Sequence, residues 1–492
     1  MTCVISNSVL SYLVLGVPLL FALLISFFPQ RAIPTTARIG AVGSSLTAMA
    51  LSISLLAHPR TELVGKWLIM DPLAGLFVAI IGAVGAASIL LSPSYLRDAS
   101  SSVVKPHNRD RVFFCVLFIF WAMLFAVPLA GNIGVAWLLV EGTTATSALL
   151  VGFSGKRRAL EAAWKYLILT SVGMGVALLG IALLGESTHG GGLGGLSWQA
   201  LGTFRANHGD TLIAFVLVLV GFASKVGWAP VHNWLPDAHS EAAPPISGLL
   251  SAALLPSVLL VTWRFSSAVS HVIGVRAVHE VLIAFGVVSL AIAVPFLWQP
   301  LPWKRLLAYS SLEHMGVLAL GIGFGGPLAL AGVVIHVVGH AIAKSLGFYA
   351  STPLLAHDPR SSKHAPSGIG RSCPKLGATM GISLATLSGI PPLPLFASEL
   401  LILAGGFETG HGLIAAIAAL LLAFGFIGLL QAFITIITGD SHHHNAESLV
   451  KVRAVGVFRT GIVSLGLLLG LTYIAFFLPS SILVHDIIYR MR

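Results

Sequence analysis

Apolar runs of membrane-spanning length follow one another along almost the whole chain, and they leave few options for how it can fold. GLIAAIAALLLAFGFIGLLQAFITIIT, residues 412–438, is one example. A helix needs about 20 mostly apolar residues to cross the hydrocarbon core. Fourteen such spans are read near residues 8–28, 37–57, 71–92, 112–129, 131–153, 161–184, 211–228, 244–265, 277–297, 303–324, 328–350, 374–404, 411–438 and 456–478. Only 9% of residues are charged and 56% are hydrophobic, whereas soluble domains carry roughly 25% charged residues. The runs are continuous and not alternating, which excludes a membrane β-barrel. The expected fold class is all-α, polytopic, with about fourteen transmembrane helices.

The formal net charge of +10 invites a nucleic-acid reading, but the basic residues follow loops. With the N-terminus outside, eighteen of the 28 Lys and Arg fall in inward-facing loops, seven in outward-facing ones and three within spans. That bias fits the positive-inside rule and puts both termini on the outer side. The charge is thus topological, and no nucleic-acid partner is expected. The N-terminus lacks the basic region of a signal peptide, and its run is long enough to be a retained first helix. Cys3, Cys115 and Cys373 are too scattered for a disulfide framework or an iron–sulfur site. The chain is expected to hold no cofactor and no metal of its own. The run His442–His444 is weak evidence for a metal.

Two spans are broken by proline. Residues 221–239 read GFASKVGWAPVHNWLPDAH, and residues 381–403 read GISLATLSGIPPLPLFASELLIL. Each joins an apolar half, a proline break and an ionisable residue, Lys225 in the seventh span and Glu399 in the twelfth. Proline removes a helical hydrogen bond, and the freed backbone must be satisfied within protein or by water. Broken helices at matching places in two halves point to an inverted-repeat transporter.

Ionisable residues at membrane depth cost several kcal/mol and mark ion or proton paths by default. By these spans they are Glu141, Lys165, Lys225, Glu313, His314, His336, His340, Lys344 and Glu399. Carboxylate, amine and imidazole alternate, as a proton relay needs, because burial and neighbours can bring each group to the point of exchange. Glu141 and Lys225 read either as a switch pair or as a static ion pair fixing helix register. His336, His340 and Lys344, at i, i+4 and i+8 of GVVIHVVGHAIAKSLGFY, share one helix face. They read as a proton wire, with a two-histidine metal site or satisfied core histidines as the alternatives. Lys165 lies a turn from the basic loop Lys156–Arg158 and reads as a channel residue or a snorkelling lysine. Glu313 and His314 form an exit step or a satisfied pair. Asp237, His239 and Glu241 read as a proton-uptake funnel or as solvated link residues. His232, inside the break, can connect them to Lys225. Asp71 is read as a cap or interface residue.

The stretches SKVGWAPVHNWLPDAHSEAAPPISGLLSA, WKRLLAYSSLEHMGVLALG, HVVGHAIAKSLGFY and LSGIPPLPLFASELLIL, in this order over roughly residues 70–440, resemble the antiporter-like subunits of respiratory complex I. Multisubunit cation/proton antiporters and membrane-bound hydrogenases share that superfamily. VEGTTATSALLVGF, KRRALEAAWKYLILTSVG and SSLEHMG look most like the hydrogenase-4 component F type. The resemblance implies inverted five-helix repeats at helices 4–8 and 9–13, with helices 7 and 12 broken. It also implies a proton path along the membrane midplane. By motif, Glu141 and Lys225 match the switch pair, His336, His340 and Lys344 the central relay, and Glu399 the terminal residue. The helix-8 segment LLSAALLPSVLLVTW offers Ser251 where relatives carry a titratable group.

The expected organisation is N-terminal helices over 1–111, a first repeat over 112–265, a second over 266–440, and a C-terminal loop and helix over 441–492. The expected function is that of a proton-translocating membrane subunit, not an enzyme by itself, in a complex I-like redox assembly of membrane-bound hydrogenase type. Its partners would be other antiporter-like subunits and a peripheral arm holding nickel–iron and iron–sulfur centres. The membrane would be the bacterial or archaeal cytoplasmic one. A sodium/proton antiporter subunit and an inorganic-carbon uptake subunit are the alternatives.

Overall fold

A computed structural model describes residues 6–65, 67–98, 108–187, 195–205, 207–440, 466, 467 and 470. Among these, twelve helices are long and apolar enough to cross a membrane. They correspond to spans 1–11 and 13 of the sequence reading. Span 12 is present as two shorter helices, and span 14, apart from residues 466, 467 and 470, lies outside the described residues with His442–His444.

The helices are α1 Asn7–Phe27, α2 Ile33–Ala57, α3 Pro72–Asp98, α4 Arg109–Leu129, α5 Ile133–Val151, α6 Arg157–Ser187 and α7 His208–Val226. The short α8 Trp234–Glu241 follows, then α9 Pro244–Ile273, α10 Val275–Leu297, α11 Trp303–Phe324 and α12 Gly326–Tyr349. The series closes with α13 Pro374–Leu387, α14 Pro394–Glu408 and α15 Gly412–Thr438. A small antiparallel hairpin, β1 Glu62–Val64 and β2 Leu68–Met70, joins α2 to α3. The chain divides into two compact units. Of the described residues, one unit holds those up to Gly227 and Glu241–Val278, and the other holds Trp228–Ser240 and those from His279 to residue 470.

Both predicted breaks are present, and they share a backbone. α7 ends on Gly227, whose φ of +83° is left-handed, and its N–H bonds back to the Ala223 carbonyl. Glycine takes this conformation without the Cβ penalty. A cis peptide joins Ala229 to Pro230. After α13 the chain turns at Gly389, with φ +70°, and a cis peptide joins Pro391 to Pro392. Counted from the glycine, the cis bond falls at the same place in both breaks. In that register Glu399 stands opposite Asp237, and Lys225 stands opposite Leu387.

The segment after the first break is tied down inside the second unit. Trp228 donates its indole N–H to the Met315 carbonyl at 2.8 Å, and the Ala229 N–H donates to Ser289 Oγ at 3.0 Å. Lys304 Nζ donates to the Ser240 carbonyl at 2.7 Å. The last two satisfy backbone groups of the segment, as hydrocarbon surroundings demand, and the indole bond anchors it to α11.

In the first unit, Asp71 caps α3 by accepting the Ala74 N–H at 2.6 Å. Its other oxygen accepts from Arg264 Nη2 at 2.6 Å, and Arg264 Nη1 donates to the Pro128 carbonyl at 2.6 Å. Both side chains are buried, so the ion pair clamps α3, α4 and α9 together. The helix runs on past Arg264 to Ile273 and holds the guanidinium against Asp71. Removing one partner of a buried pair leaves an uncompensated charge. Arg264→Met is therefore expected to destabilise the detergent-solubilised protein by about 3–5 kcal/mol, measured by unfolding, with Asp71→Asn restoring part of the loss.

Candidate functional site: two buried lysine clusters

The cluster of the first unit is set by a close crossing of α6 and α7. A Cβ on Gly221 would meet the Ala177 Cβ and the Gly173 carbonyl, each at 2.5 Å. Only glycine lets the two backbones approach this far. The crossing delivers Lys225, fully buried at the end of α7, against Tyr166 of α6. Its ammonium donates to Thr144 Oγ1 at 2.8 Å and to Tyr166 Oη, and lies 4.4 Å from the centre of the tyrosine ring.

Hydroxyl groups have one hydrogen each, which fixes the sense of the remaining bonds. Ser147 donates to the Thr143 carbonyl at 2.5 Å, so at 2.7 Å it accepts from Tyr166. The chain Lys225 to Tyr166 to Ser147 ends on a backbone carbonyl, which cannot take a proton, so it holds the lysine in place. A proton acceptor lies one turn before Thr144. Glu141 accepts the Ser171 hydroxyl on Oε1 at 2.5 Å, while its buried Oε2 has no hydrogen-bond partner among the described residues. Glu141 and Lys225 lie within electrostatic reach of one another. The polar groups that hold Lys225, Thr144 and Tyr166, were not singled out by the sequence reading.

Lys165 is not brought to this cluster. Its side chain is 49% exposed and pairs with Glu161 at 2.7 Å, one turn back on the same helix. The adjacent residue, Tyr166, takes the inward position. At 100° per residue, neighbours on a helix cannot both face the cluster. In α9, Ser251 lies within a π turn, Leu250–Leu254.

The cluster of the second unit joins α11, α12 and α14. The predicted single face of His336, His340 and Lys344 is present and turns toward α11. Lys344 Nζ donates to the Leu307 carbonyl at 2.6 Å and to Ser310 Oγ at 2.7 Å. His340 lies 5.2 Å from His314, ring centre to ring centre. His314 Nδ1 and His336 Nε2 are 3.1 Å apart, and His336 Nδ1 is 2.9 Å from Ser398 Oγ. Ser398 donates its one hydrogen to the Leu395 carbonyl at 2.8 Å. His336 Nδ1 must then carry a hydrogen and donate to Ser398. That leaves His336 Nε2 bare, accepting from His314 Nδ1–H.

Two carboxylates lie in the same unit. Glu313 packs against Gly425 of α15, its buried Oε2 has no hydrogen-bond partner among the described residues, and it lies within electrostatic reach of Lys344. Glu399 packs over the turn of the second break, where a Cβ on Gly389 would lie 2.8 Å from its Oε2.

The three uptake candidates sit on a helix, α8, and not in an open link. Asp237 pairs with Arg305 at 3.3 Å and is partly exposed. His239 is buried and stacks on Phe348 with ring centres 5.1 Å apart. Glu241 ends α8, partly buried, and belongs to the first unit. His232, between the two halves of the broken span, is buried.

Comparison with known proteins follows the same lines. A family model described as "NADH:quinone oxidoreductase/Mrp antiporter, TM" matches residues 130–425. A hydrogenase-4 component F homolog of Methylacidiphilum infernorum (isolate V4) is 33% identical over 376 residues, covering 73% of this chain and 78% of its own. A chain of the membrane-bound sulfane sulfur reductase, an archaeal respiratory membrane complex, has a TM-score of 0.77 at 20% identity, covering 98% of this chain and 100% of its own. A chain of the Mrp complex from Dietzia sp. DQ12-45-1b has a TM-score of 0.78 at 18% identity, covering 100% and 99%. At those identities the two structures establish the shared fold, while the family match and the first relative establish descent. The chain belongs to the NADH:quinone oxidoreductase/Mrp antiporter family, as a multi-pass, antiporter-like membrane subunit.

Proposed function

We propose that this chain translocates protons as a membrane subunit of a complex I-like redox assembly of the membrane-bound hydrogenase type. The observation that carries the reading is the buried His314–His336 hydrogen bond, in which one ring presents an N–H to the bare nitrogen of the other. That is the arrangement a proton needs in order to pass between two side chains without water. The hydrogenase assignment rests on the relative named hydrogenase-4 component F homolog.

Each unit supplies one lysine site and one carboxylate with a bare oxygen. In the first, Lys225 exchanges its proton with Glu141, and Tyr166 and Ser147 hold the amine in reach. In the second, Lys344 and Glu313 form the corresponding pair, and His314 of α11 with His336 and His340 of α12 extend it toward Glu399. Asp237, His239, Glu241 and His232 supply the uptake side. The π turn at Ser251 loosens the regular helical bonding of α9, so a backbone carbonyl there can hold a water where no titratable side chain stands. The chain carries no redox centre in this reading. Nickel–iron and iron–sulfur centres belong to a peripheral arm, other antiporter-like subunits lie alongside in a bacterial or archaeal cytoplasmic membrane, and both termini face outward.

Sodium/proton exchange is the second reading, supported by the Mrp half of the family description. Sodium prefers several oxygen ligands, whereas these clusters are rich in nitrogen bases, which favours protons. Sodium-dependent activity in proteoliposomes, absent with potassium, would reverse the assignment.

Lys225→Ala is expected to lower coupled proton movement at least tenfold while electron transfer by the partner subunits remains measurable; undiminished pumping would sink the reading. Ser398→Ala removes the acceptor that fixes the His336 tautomer, one hydrogen bond of about 1–1.5 kcal/mol. Proton flux is expected to fall by about tenfold, the rate equivalent of that energy. Unchanged flux in this variant would mean that packing alone orients His336.

A further inference from the structure

The second-unit cluster meets a requirement that proton transfer does not impose. One ligand atom from each of His314, His336 and Glu399 lies within 4.8 Å of the others, contributed by α11, α12 and α14. We propose that these three side chains form a binding site for a divalent transition-metal ion of the zinc class, and that the bound ion blocks the relay. The binding claim stands on the geometry; the block rests on the proton reading above.

Zinc binds imidazole nitrogen at about 2.0–2.1 Å in a tetrahedron, so two ligand nitrogens lie roughly 3.4 Å apart from that bond length. His314 Nδ1 and His336 Nε2 stand at 3.1 Å, so both rings are already close to the spacing that a shared ion imposes. Metal-bound histidines need an acceptor for the other ring N–H. His336 has one in Ser398 Oγ, which leaves Nε2 free to ligate. The ring of His314 lies beside the Leu387 carbonyl, which can receive its N–H once Nδ1 turns to the metal. Glu399 is the least buried of the three, and its carboxylate lies against the turn at Gly389 with an oxygen already within 4.8 Å of a nitrogen of each ring. Water takes the fourth position, as in zinc sites with three protein ligands.

The donor set of two nitrogens and one carboxylate selects against calcium and magnesium, which require oxygen. Lys344 is coupled to His314 and repels an incoming cation, but its ammonium is drawn toward Leu307 and Ser310 by two hydrogen bonds. On binding, the ion replaces the hydrogen between the two rings. His314 releases its Nδ1 proton to its other nitrogen or to water, and His336 loses its only free acceptor. A proton can then no longer pass between the rings.

The full chain in lipid nanodiscs would be titrated with Co2+ as an optical probe and with Zn2+ as competitor. A tetrahedral Co2+ spectrum, displaced by Zn2+ and not by excess Mg2+, is expected. Affinity should fall at least tenfold in each of His314→Gln, His336→Gln and Glu399→Gln, and should persist when His442–His444 are all replaced by Ala. Binding lost in that triple variant, or undiminished in the three single ones, would overturn the site. X-ray absorption of the Zn2+-loaded natural chain covers the case of variants that fail to fold. Two imidazoles with oxygen ligands support the site, and three imidazoles overturn it. In proteoliposomes Zn2+ should abolish proton flux over the range in which it displaces Co2+. Tetrahedral binding with undiminished flux would keep the metal site and overturn the relay reading, and an absent tetrahedral spectrum would overturn the site alone.

Discussion

An ammonium group taken out of water must find acceptors to replace it, and both lysine sites are organised around that need. A lysine at the bilayer centre costs about 3 kcal/mol or more, and each charge-assisted hydrogen bond returns about 1.5–3 kcal/mol. Two good acceptors are therefore of the same order as the cost. Lys225 finds the hydroxyls of Thr144 and Tyr166, and Lys344 finds Ser310 and the Leu307 carbonyl. Because cost and return nearly match, the charge on either lysine depends on what its neighbours do. That near balance suits a group that must gain and lose a proton.

The carboxylates complete the arrangement from the opposite side. Glu141 and Glu313 each keep one buried oxygen with no hydrogen-bond partner, a state that costs free energy and so calls for a reason. Each lies within electrostatic reach of its lysine. The hydroxyl chains beside Lys225 and His336 end on the carbonyls of Thr143 and Leu395, which fix orientation and carry no proton onward. In the proposed relay, serine and tyrosine hold the groups in place, while lysine, glutamate and histidine are the side chains that would exchange protons. The first break serves the same economy of polar groups, since the left-handed Gly227 ends the helix where the Ser289 hydroxyl takes up the Ala229 N–H.

Much of this was legible in the sequence. Continuous apolar runs give the fold class, because lipid leaves the backbone no alternative to helices. Periodicity gives the common face of His336, His340 and Lys344, since i, i+4 and i+8 are neighbours on any helix. Proline and glycine give both breaks. What stayed hidden has one cause. Tyr166 draws no attention beside Lys165, because a charge within an apolar run stands out and a tyrosine does not. Yet the side of α6 that faces Lys225 is set by the Gly173–Gly221 crossing. Ser398 was overlooked beside Glu399 for the same reason. The pairing of Arg264 with Asp71 joins residues 193 positions apart, and no local pattern announces it.

The sequence by itself determined that this is a membrane-embedded helical protein with titratable groups along its interior and two proline breaks of matching type. Those properties follow from composition and from spacing along one helix at a time. Tertiary structure alone decided which groups touch: that Lys225 rests on Thr144 and Tyr166, that Lys165 faces outward, and that His314, His336 and Glu399 converge from three helices. Such contacts depend on the rotation of each helix about its axis and on how closely its neighbours approach, and both are fixed by packing between segments distant in the chain.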